Sequence, residues 1–377
     1  LLAIAGGHRP QFGGYYMFAV SSLRVVLAYY MVVILRMGLL GAVLAAVLSR
    51  ALGVLLGYWY NHHLIRSSRY DPAVTKMWLR NSWYTLSSSF VSVMIMLDAI
   101  IVRIITGSDL VIAYYGVVFL VTNFIGPIRP ASRVISARIL ADRRQVIVNE
   151  GLWFVFFLAI PLIVIMVAFS EAIVAVMNAR YIAVANLVAL FAAGNLARLI
   201  YVINKATLNA WEYEDYDIYR RFSIRRTALF DTLIIETATS IAFLVCLGVA
   251  SMLISNPLSL VYVWGVLYLL KFLAGIVAIE FSGKKHFKIR FIANREMISI
   301  LTRYAVASLL AVIVGLSIHI SVDQNLLDLI YSLIRAGIIV ILVFYAVLLA
   351  IDRRARAFII TLIRYVRGLS RQLHIYP

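Results

Sequence analysis

Residues 152–169 read Leu152-Trp153-Phe154-Val155-Phe156-Phe157-Leu158-Ala159-Ile160-Pro161-Leu162-Ile163-Val164-Ile165-Met166-Val167-Ala168-Phe169, a run with no charged side chain. A helix needs roughly 20 mostly apolar residues to cross the hydrocarbon of a bilayer. A helix apolar on every face is buried in a large core or in lipid. Working outward from this run, similar stretches recur at about 15–35, 38–60, 83–106, 111–131, 183–207, 230–253, 258–280, 301–320 and 329–351. Together they predict an all-α, polytopic membrane protein with about ten transmembrane helices. The segment Ser170-Glu171-Ala172-Ile173-Val174-Ala175-Val176-Met177-Asn178-Ala179-Arg180-Tyr181 predicts a short interfacial helix. The period-two alternation of a membrane barrel is absent.

Composition agrees. Hydrophobic residues make up 63% of the 377 positions and charged residues 14%, and the mean hydropathy is +0.95. A soluble domain is usually about 45–50% apolar and about 25% charged. Water would not solvate such a surface, so no soluble fold is compatible with this chain. The one cysteine, Cys246, lies inside an apolar run. Neither a disulfide framework nor a thiolate metal cluster can be built from it. The chain opens Leu1-Leu2-Ala3-Ile4-Ala5 without a Met, which reads as the tail of an earlier apolar segment.

The net charge of +18 would point to nucleic acid in a soluble protein, but its placement makes it a topology signal. Alternate connections carry Arg66, Arg69, Lys76 and Arg80; Arg133, Arg138, Arg143 and Arg144; Arg220, Arg221, Arg225 and Arg226; and Lys284, Lys285, Lys288, Arg290 and Arg295. The opposite connections carry Arg36 and Arg180 alone. Under the positive-inside rule the basic side is cytoplasmic, which places both ends of the chain inside the cell membrane. The opposite connections, such as 106–110, 254–257 and 321–328, are too short for an external domain. After Asp352, Arg353, Arg356, Arg364, Arg367 and Arg371 share one helical face, with Phe358, Leu362, Val366 and Leu369 opposite. That pattern predicts a basic amphipathic tail, 352–377, on anionic lipid.

Several stretches resemble the polysaccharide and lipid-linked oligosaccharide flippases of the multidrug/oligosaccharidyl-lipid/polysaccharide exporter superfamily. Leu97-Asp98-Ala99-Ile100-Ile101, Gly107-Ser108-Asp109 and Ile112-Ala113-Tyr114-Tyr115 are similar to that family's seventh helix and following turn. Ile128-Arg129-Pro130-Ala131-Ser132-Arg133 is similar to the close of its eighth helix. Asn178-Ala179-Arg180-Tyr181-Ile182-Ala183-Val184-Ala185 resembles the turn before its tenth, and Ala5-Gly6-Gly7-His8-Arg9-Pro10-Gln11-Phe12 the loop before its fifth. Family members have fourteen helices in two six-helix lobes and a terminal pair. The resemblance therefore implies that this chain corresponds to helices 5–14. Residues 1–60 would be the last two helices of the first lobe, 83–280 the second lobe, and 301–351 the terminal pair. Two lobes related by an axis along the membrane normal would give alternating access.

Ionisable side chains inside spans cost roughly 2.5–3.5 kcal/mol each on insertion scales, so each needs a partner or a wet cavity. Arg24 and Arg50 lie at similar depth on one hairpin with no acid in either span. Asp98 and Arg103 are five apart, poorly spaced to pair with each other. Asp98 is either a cavity group, protonatable for coupling, or an interhelical hydrogen-bond partner. Asn195, Arg198, Tyr201, Lys205 and Asn209 share one face of the sixth span, a stripe suited to sugar and phosphate, although Lys205 can also snorkel to the surface. Arg129 and Arg133 are four apart near the cytoplasmic end, placed for first capture of a phosphate. Glu236 and Lys271 are at comparable depth and are expected to pair, while Arg303 and Arg335 are expected to snorkel.

Enzyme signals fail on inspection. Asp215-Tyr216-Asp217 matches a D-x-D pattern but sits in a short acidic loop without a supporting domain. His62-His63 diverge by 100° on a helix, which disfavours a metal site. No P-loop is present. The expected function is flipping of a polyprenyl-(pyro)phosphate-linked glycan through a cationic cavity, with Arg24, Arg50, Asp98, Arg103, Arg129, Arg198, Tyr201 and Lys205 in contact with cargo. No cofactor, metal or nucleic acid is expected. Membrane lipids and a coupling ion are the other partners. A cation or drug antiporter of the same superfamily and a membrane enzyme of envelope synthesis are the alternatives. Mid-span bases outnumber mid-span acids, which favours anionic cargo.

Overall fold

Lipid offers backbone amides no partner, so a chain this apolar satisfies them within helices. The computed structural model describes residues 10–67, 72–129, 131–142, 144–212, 227–292, 295–322 and 325–373. Among these residues every regular element is helical. Helix α1 (Pro10–Ala28) runs on through a π-turn, Tyr29–Ile34, and turns back into α2 (Gly38–Ser67). Helix α3 (Pro72–Met94) breaks at the 3-10 turn Ile95–Leu97 and resumes as α4 (Asp98–Thr106). Helix α5 (Asp109–Thr122) passes through a second 3-10 segment, Asn123–Ile128, to α6 (Ala131–Ala141). There follow α7 (Gln145–Ala168), α8 (Ser170–Asn178), the 3-10 segment Ala179–Leu187, α9 (Val188–Trp211), α10 (Ala228–Leu253), α11 (Pro257–Phe287), α12 (Arg295–Ser317), α13 (Leu326–Ile351) and α14 (Arg353–Leu373).

Eight helical stretches among the described residues are long and apolar enough to cross a bilayer. The expected span at 15–35 forms a shorter apolar helix, Phe18–Ile34. The one at 83–106 is the interrupted α3–α4 pair. The protein is an all-α, multi-pass membrane protein. The segment read as interfacial becomes α8 and the 3-10 segment after it. Residues 213–226, including Asp215-Tyr216-Asp217, and residues 1–9 lie outside those described.

The chain divides into two compact units, Leu1–Asn81 and Ser82–Pro377. In the first, α1 packs along α2. The missing Cβ of Gly53 leaves room for the Tyr16 hydroxyl and a Val20 methyl, each 2.7 Å from where that Cβ would stand. In the second, α11 packs on α9, α10 and α5, and α12 and α13 pack together on α7. The helix ends follow from local chemistry. Asn256 accepts from the amides of Leu258 (2.9 Å) and Ser259 (3.1 Å), with Pro257 at the first helical position of α11, a preferred start. Gly107 closes α4 at φ 64°, a left-handed cap that glycine adopts without Cβ strain.

Without a hydrophobic force between helices in lipid, small residues let backbones approach. Helices α9 and α11 use this in both directions. A Cβ on Gly194 of α9 would stand 2.7 Å from Tyr268 Cδ1 of α11. One on Gly275 of α11 would stand 2.7 Å from Tyr201 Cε2 of α9, and one on Gly265 the same distance from Phe191.

Asp352, fully buried between α13 and α14, accepts from Trp153 Nε1 of α7 at 3.0 Å and from Arg303 Nη1 of α12 at 3.2 Å. Arg303, expected to snorkel from its place near a span end, has an ion-pair partner there. Its partner is 49 residues away in sequence. Helix α14 bears out the helical reading of the tail; Arg353, Arg356 and Arg364 are exposed on it, and Arg354 pairs with Glu296 of α12.

Candidate functional site

The 3-10 turn Ile95–Leu97 restarts a helix at Asp98, so the carboxylate sits in the first turn of α4, where the helix dipole favours an anion. Asp98 is buried and accepts from the Tyr115 hydroxyl of α5 at 3.2 Å. Tyr115 stacks flat on Trp264 of α11, with centroids 3.7 Å apart and planes 6° from parallel. Of the two readings of Asp98 open in the sequence, the interhelical hydrogen bond is present. Arg103 goes elsewhere. It reaches over the Gly107-Ser108 turn to Asp109 at 2.8 Å, with both side chains exposed.

The stripe on α9 meets neighbouring helices residue by residue. Asn195 donates to Thr122 of α5 at 2.9 Å and accepts from the Tyr268 hydroxyl of α11 at 3.0 Å. Arg198 donates to the same hydroxyl at 3.3 Å. Tyr201 is buried, its ring seated on Gly275 and tilted against Phe272. Lys205 pairs with Glu236 of α10. Asn209 accepts from Thr232 of α10 at 3.3 Å.

One expectation needs correction here: Glu236 takes Lys205 rather than Lys271 as its partner. The reason lies in helix rotation: residue 205 of α9 points at the α9–α10 seam, whereas Lys271 lies between the faces of Phe243 (5.1 Å) and Phe272 (5.4 Å).

Arg129 follows the 3-10 segment Asn123–Ile128, which contains Gly126 and Pro127. The Arg129 side chain reaches back along this segment, so that its Nη2 donates to Asn123 Oδ1 at 2.6 Å. Arg129 lies just beyond the end of its span. Burial, and next the positive charge of Arg198, hold its guanidinium below the ordinary pKa, although a guanidinium stays charged throughout. Arg129 and Arg198 are both half-buried. Both are hydrogen-bonded to neutral side chains, and neither forms an ion pair among the described residues. Two like charges in a site of reduced polarity raise each other's free energy, and an anion between them lowers both. The side chain of Arg133 lies outside those described.

In the unit Leu1–Asn81, Arg24 and Arg50 are both exposed, and neither forms an ion pair among the described residues. A cleft of about 440 Å³ opens elsewhere, at the ends of α7 and α12, lined by Ser170, Glu171, Asn186 and His319 among apolar neighbours. It contains no Lys or Arg and is poorly suited to a phosphate. Comparison with protein-family models, curated proteins and solved structures finds no match. Function must be argued from the site.

Of the residues expected to contact cargo, Arg129 and Arg198 are each held by a neutral side chain, Asn123 and Tyr268. Asp98, Tyr201 and Lys205 make interhelical contacts. The residues that sequence reasoning missed are Tyr268 and Asn123; both are uncharged and carry no signal in a hydrophobic span until their partners are known.

Proposed function

We propose that this protein moves a lipid-linked anion across the membrane, a polyprenyl-phosphate or -diphosphate carrying a glycan, by alternating access. It would be a transporter like the lipid-linked oligosaccharide flippases, and not an enzyme. The observation that carries this reading is that Arg129 and Arg198, half-buried guanidiniums on different elements, are held by the neutral side chains of Asn123 and Tyr268 and have no carboxylate partner among the described residues. A guanidinium presents a planar fork that matches phosphate oxygens two at a time. The cargo's phosphates lose water on entering roughly 30 Å of hydrocarbon, and fixed cations replace that solvation. Tyrosine and asparagine around the pair supply contacts for hydroxyls.

Without a P-loop, the work comes from an ion gradient, the membrane potential or consumption of the product. One charge moved across 100 mV is worth about 2.3 kcal/mol. The basic connections and α14 would face the cytoplasm and its anionic lipids. Arg24 and Arg50, in the unit Leu1–Asn81, are further candidates for contact with anionic cargo.

The decisive experiment reconstitutes the protein in liposomes with a fluorescent polyprenyl diphosphate saccharide and follows loss of the accessible label to a membrane-impermeant quencher. Wild type is expected to accelerate translocation, and the Arg129→Gln/Arg198→Gln protein, equally well incorporated, is expected not to. Charge reversal at Arg24 or Arg50 is expected to impair translocation at unchanged expression. No acceleration by wild type, or full activity in the double variant, rejects the reading.

A further inference from the structure

The cleft at the ends of α7 and α12 lies at the face opposite the basic connections. Arg144 leads into α7 and Arg295 opens α12, whereas the cleft is lined where both helices finish, at Val167 and Leu316. Close packing fixes the two helices beside it: a Cβ on Gly315 of α12 would stand 2.7 Å from the Ala168 Cβ of α7. Just beyond, α12 closes with the Ile318 amide donating to the Gly315 carbonyl at 3.1 Å. Four polar side chains from three segments share the space: Ser170 and Glu171 of α8, Asn186 of the 3-10 segment and His319 after α12. Glu171, Asn186 and His319 are exposed. None of the four has a side-chain hydrogen bond or ion pair among the described residues.

Their chemistry selects the ligand. Ionised Glu171 only accepts, Asn186 and Ser170 each donate and accept, and a neutral imidazole does one of each. An ammonium, with donors alone, leaves the amide and imidazole N–H groups unused. A phosphate meets a carboxylate and no base. A metal dication finds two strong ligands, Glu171 and His319, and no three of His, Cys, Asp and Glu gather among the described residues. Hydroxyl groups donate and accept at every position, and so use all four side chains. The apolar wall at Val167 and Leu316 suits the C–H face of a sugar ring. The volume of about 440 Å³ falls in the usual range of ligand pockets, roughly 300–1,000 Å³.

We propose that this cleft binds a saccharide, whose hydroxyls are held by Glu171, Asn186, Ser170 and His319. Its place in transport rests on the lipid-linked glycan reading: the cleft takes the sugar of a cargo whose phosphates are handled by arginines elsewhere. Along α9, Arg198 stands about 15 Å beyond Val188, where the helix begins, at 1.5 Å per residue. The acid-bearing cleft and the arginine thus divide a cargo that is neutral at one end and anionic at the other.

The test is saturation-transfer NMR of the purified, full-length protein in lipid nanodiscs. The probes are glucose, galactose, mannose, rhamnose and N-acetylglucosamine, each alone, with tetraethylammonium as the cationic comparison. Wild type is expected to transfer saturation to the ring protons of at least one sugar. Glu171→Ala/Asn186→Ala and His319→Ala are each expected to weaken that sugar by about tenfold or more. Asp328→Ala, which removes an exposed acid at the start of α13, is expected to change nothing. If the double variant does not fold, His319→Ala and the shape-conserving Glu171→Gln decide. Calorimetry with inorganic pyrophosphate is expected to give the same affinity in all of them. No sugar bound by wild type, sugar binding unchanged in the cleft variants, or tetraethylammonium held at Glu171 in place of sugar overturns the proposal. Sugar binding that depends on the cleft, in a protein that moves no lipid-linked glycan, keeps the saccharide site and overturns the transport reading instead.

Discussion

Arg198 of α9 donates to the Tyr268 hydroxyl of α11 at 3.3 Å, and that hydroxyl in turn donates to Asn195, one helical turn back on α9. The tyrosine thereby ties the arginine to the helix that carries it, with no acid involved. It also fixes the direction in which the guanidinium points.

Tyr268→Phe removes this tether while keeping the ring that fills the space at Gly194. Loss of one neutral hydrogen-bond centre is expected to lower stability by about 0.5–1.5 kcal/mol. Pyrophosphate affinity is expected to fall further than that of a control such as Tyr262→Phe, whose parent side chain is exposed. Equal affinities for Tyr268→Phe and the control would show that the hydroxyl does not position Arg198.

The reciprocal glycine contacts make a second prediction. Gly194→Ala and Gly275→Ala each drive a Cβ to 2.7 Å from a tyrosine ring carbon, and overpacking of this kind costs about 1–3 kcal/mol. Gly116→Ala, with nothing within 4 Å of its added Cβ, serves as the neutral comparison. Thermal unfolding in detergent, followed by residual folded fraction, should separate the first two from the third by several degrees.

Lys205 and Glu236 should behave as a coupled pair. Both are largely buried, so each single change, Lys205→Met or Glu236→Gln, leaves a group without its counterpart. The double variant is expected to recover part of the loss, with a coupling energy of about 0.5–3 kcal/mol. Strict additivity would show that the ion pair contributes nothing.

Asp352 is an acceptor that joins α7, α12 and the α13–α14 junction. Asp352→Ala is expected to destabilise by about 1–3 kcal/mol, through the orphaned Trp153 N–H and the unpaired Arg303. Asp352→Asn, which keeps an acceptor for one of the two, should cost less. Proteolysis within α14 is the sensitive readout, and unchanged cleavage in both variants would argue against a structural role.

Much of this architecture was legible in the order of residues. The uncharged run 152–169 specified a span because hydrocarbon leaves a backbone no choice but the helix. The break before Asp98 was not legible, since Ile95-Met96-Leu97 are as apolar as their neighbours. The break emerges where the carboxylate settles at a helix start beside Tyr115. Charge inventory picked out Arg129 and Arg198 but offered no reason to prefer them over Lys205 or Arg103.

Burial of apolar length depends on local composition, which is why the sequence by itself determined an all-helical chain that crosses a membrane many times. Pairing inside the bilayer depends on the rotation and depth of helices far apart in sequence. Only the tertiary structure could therefore match Glu236 to Lys205 and Arg303 to Asp352. The same packing left Arg129 and Arg198 with neutral hydrogen-bond partners, Asn123 and Tyr268.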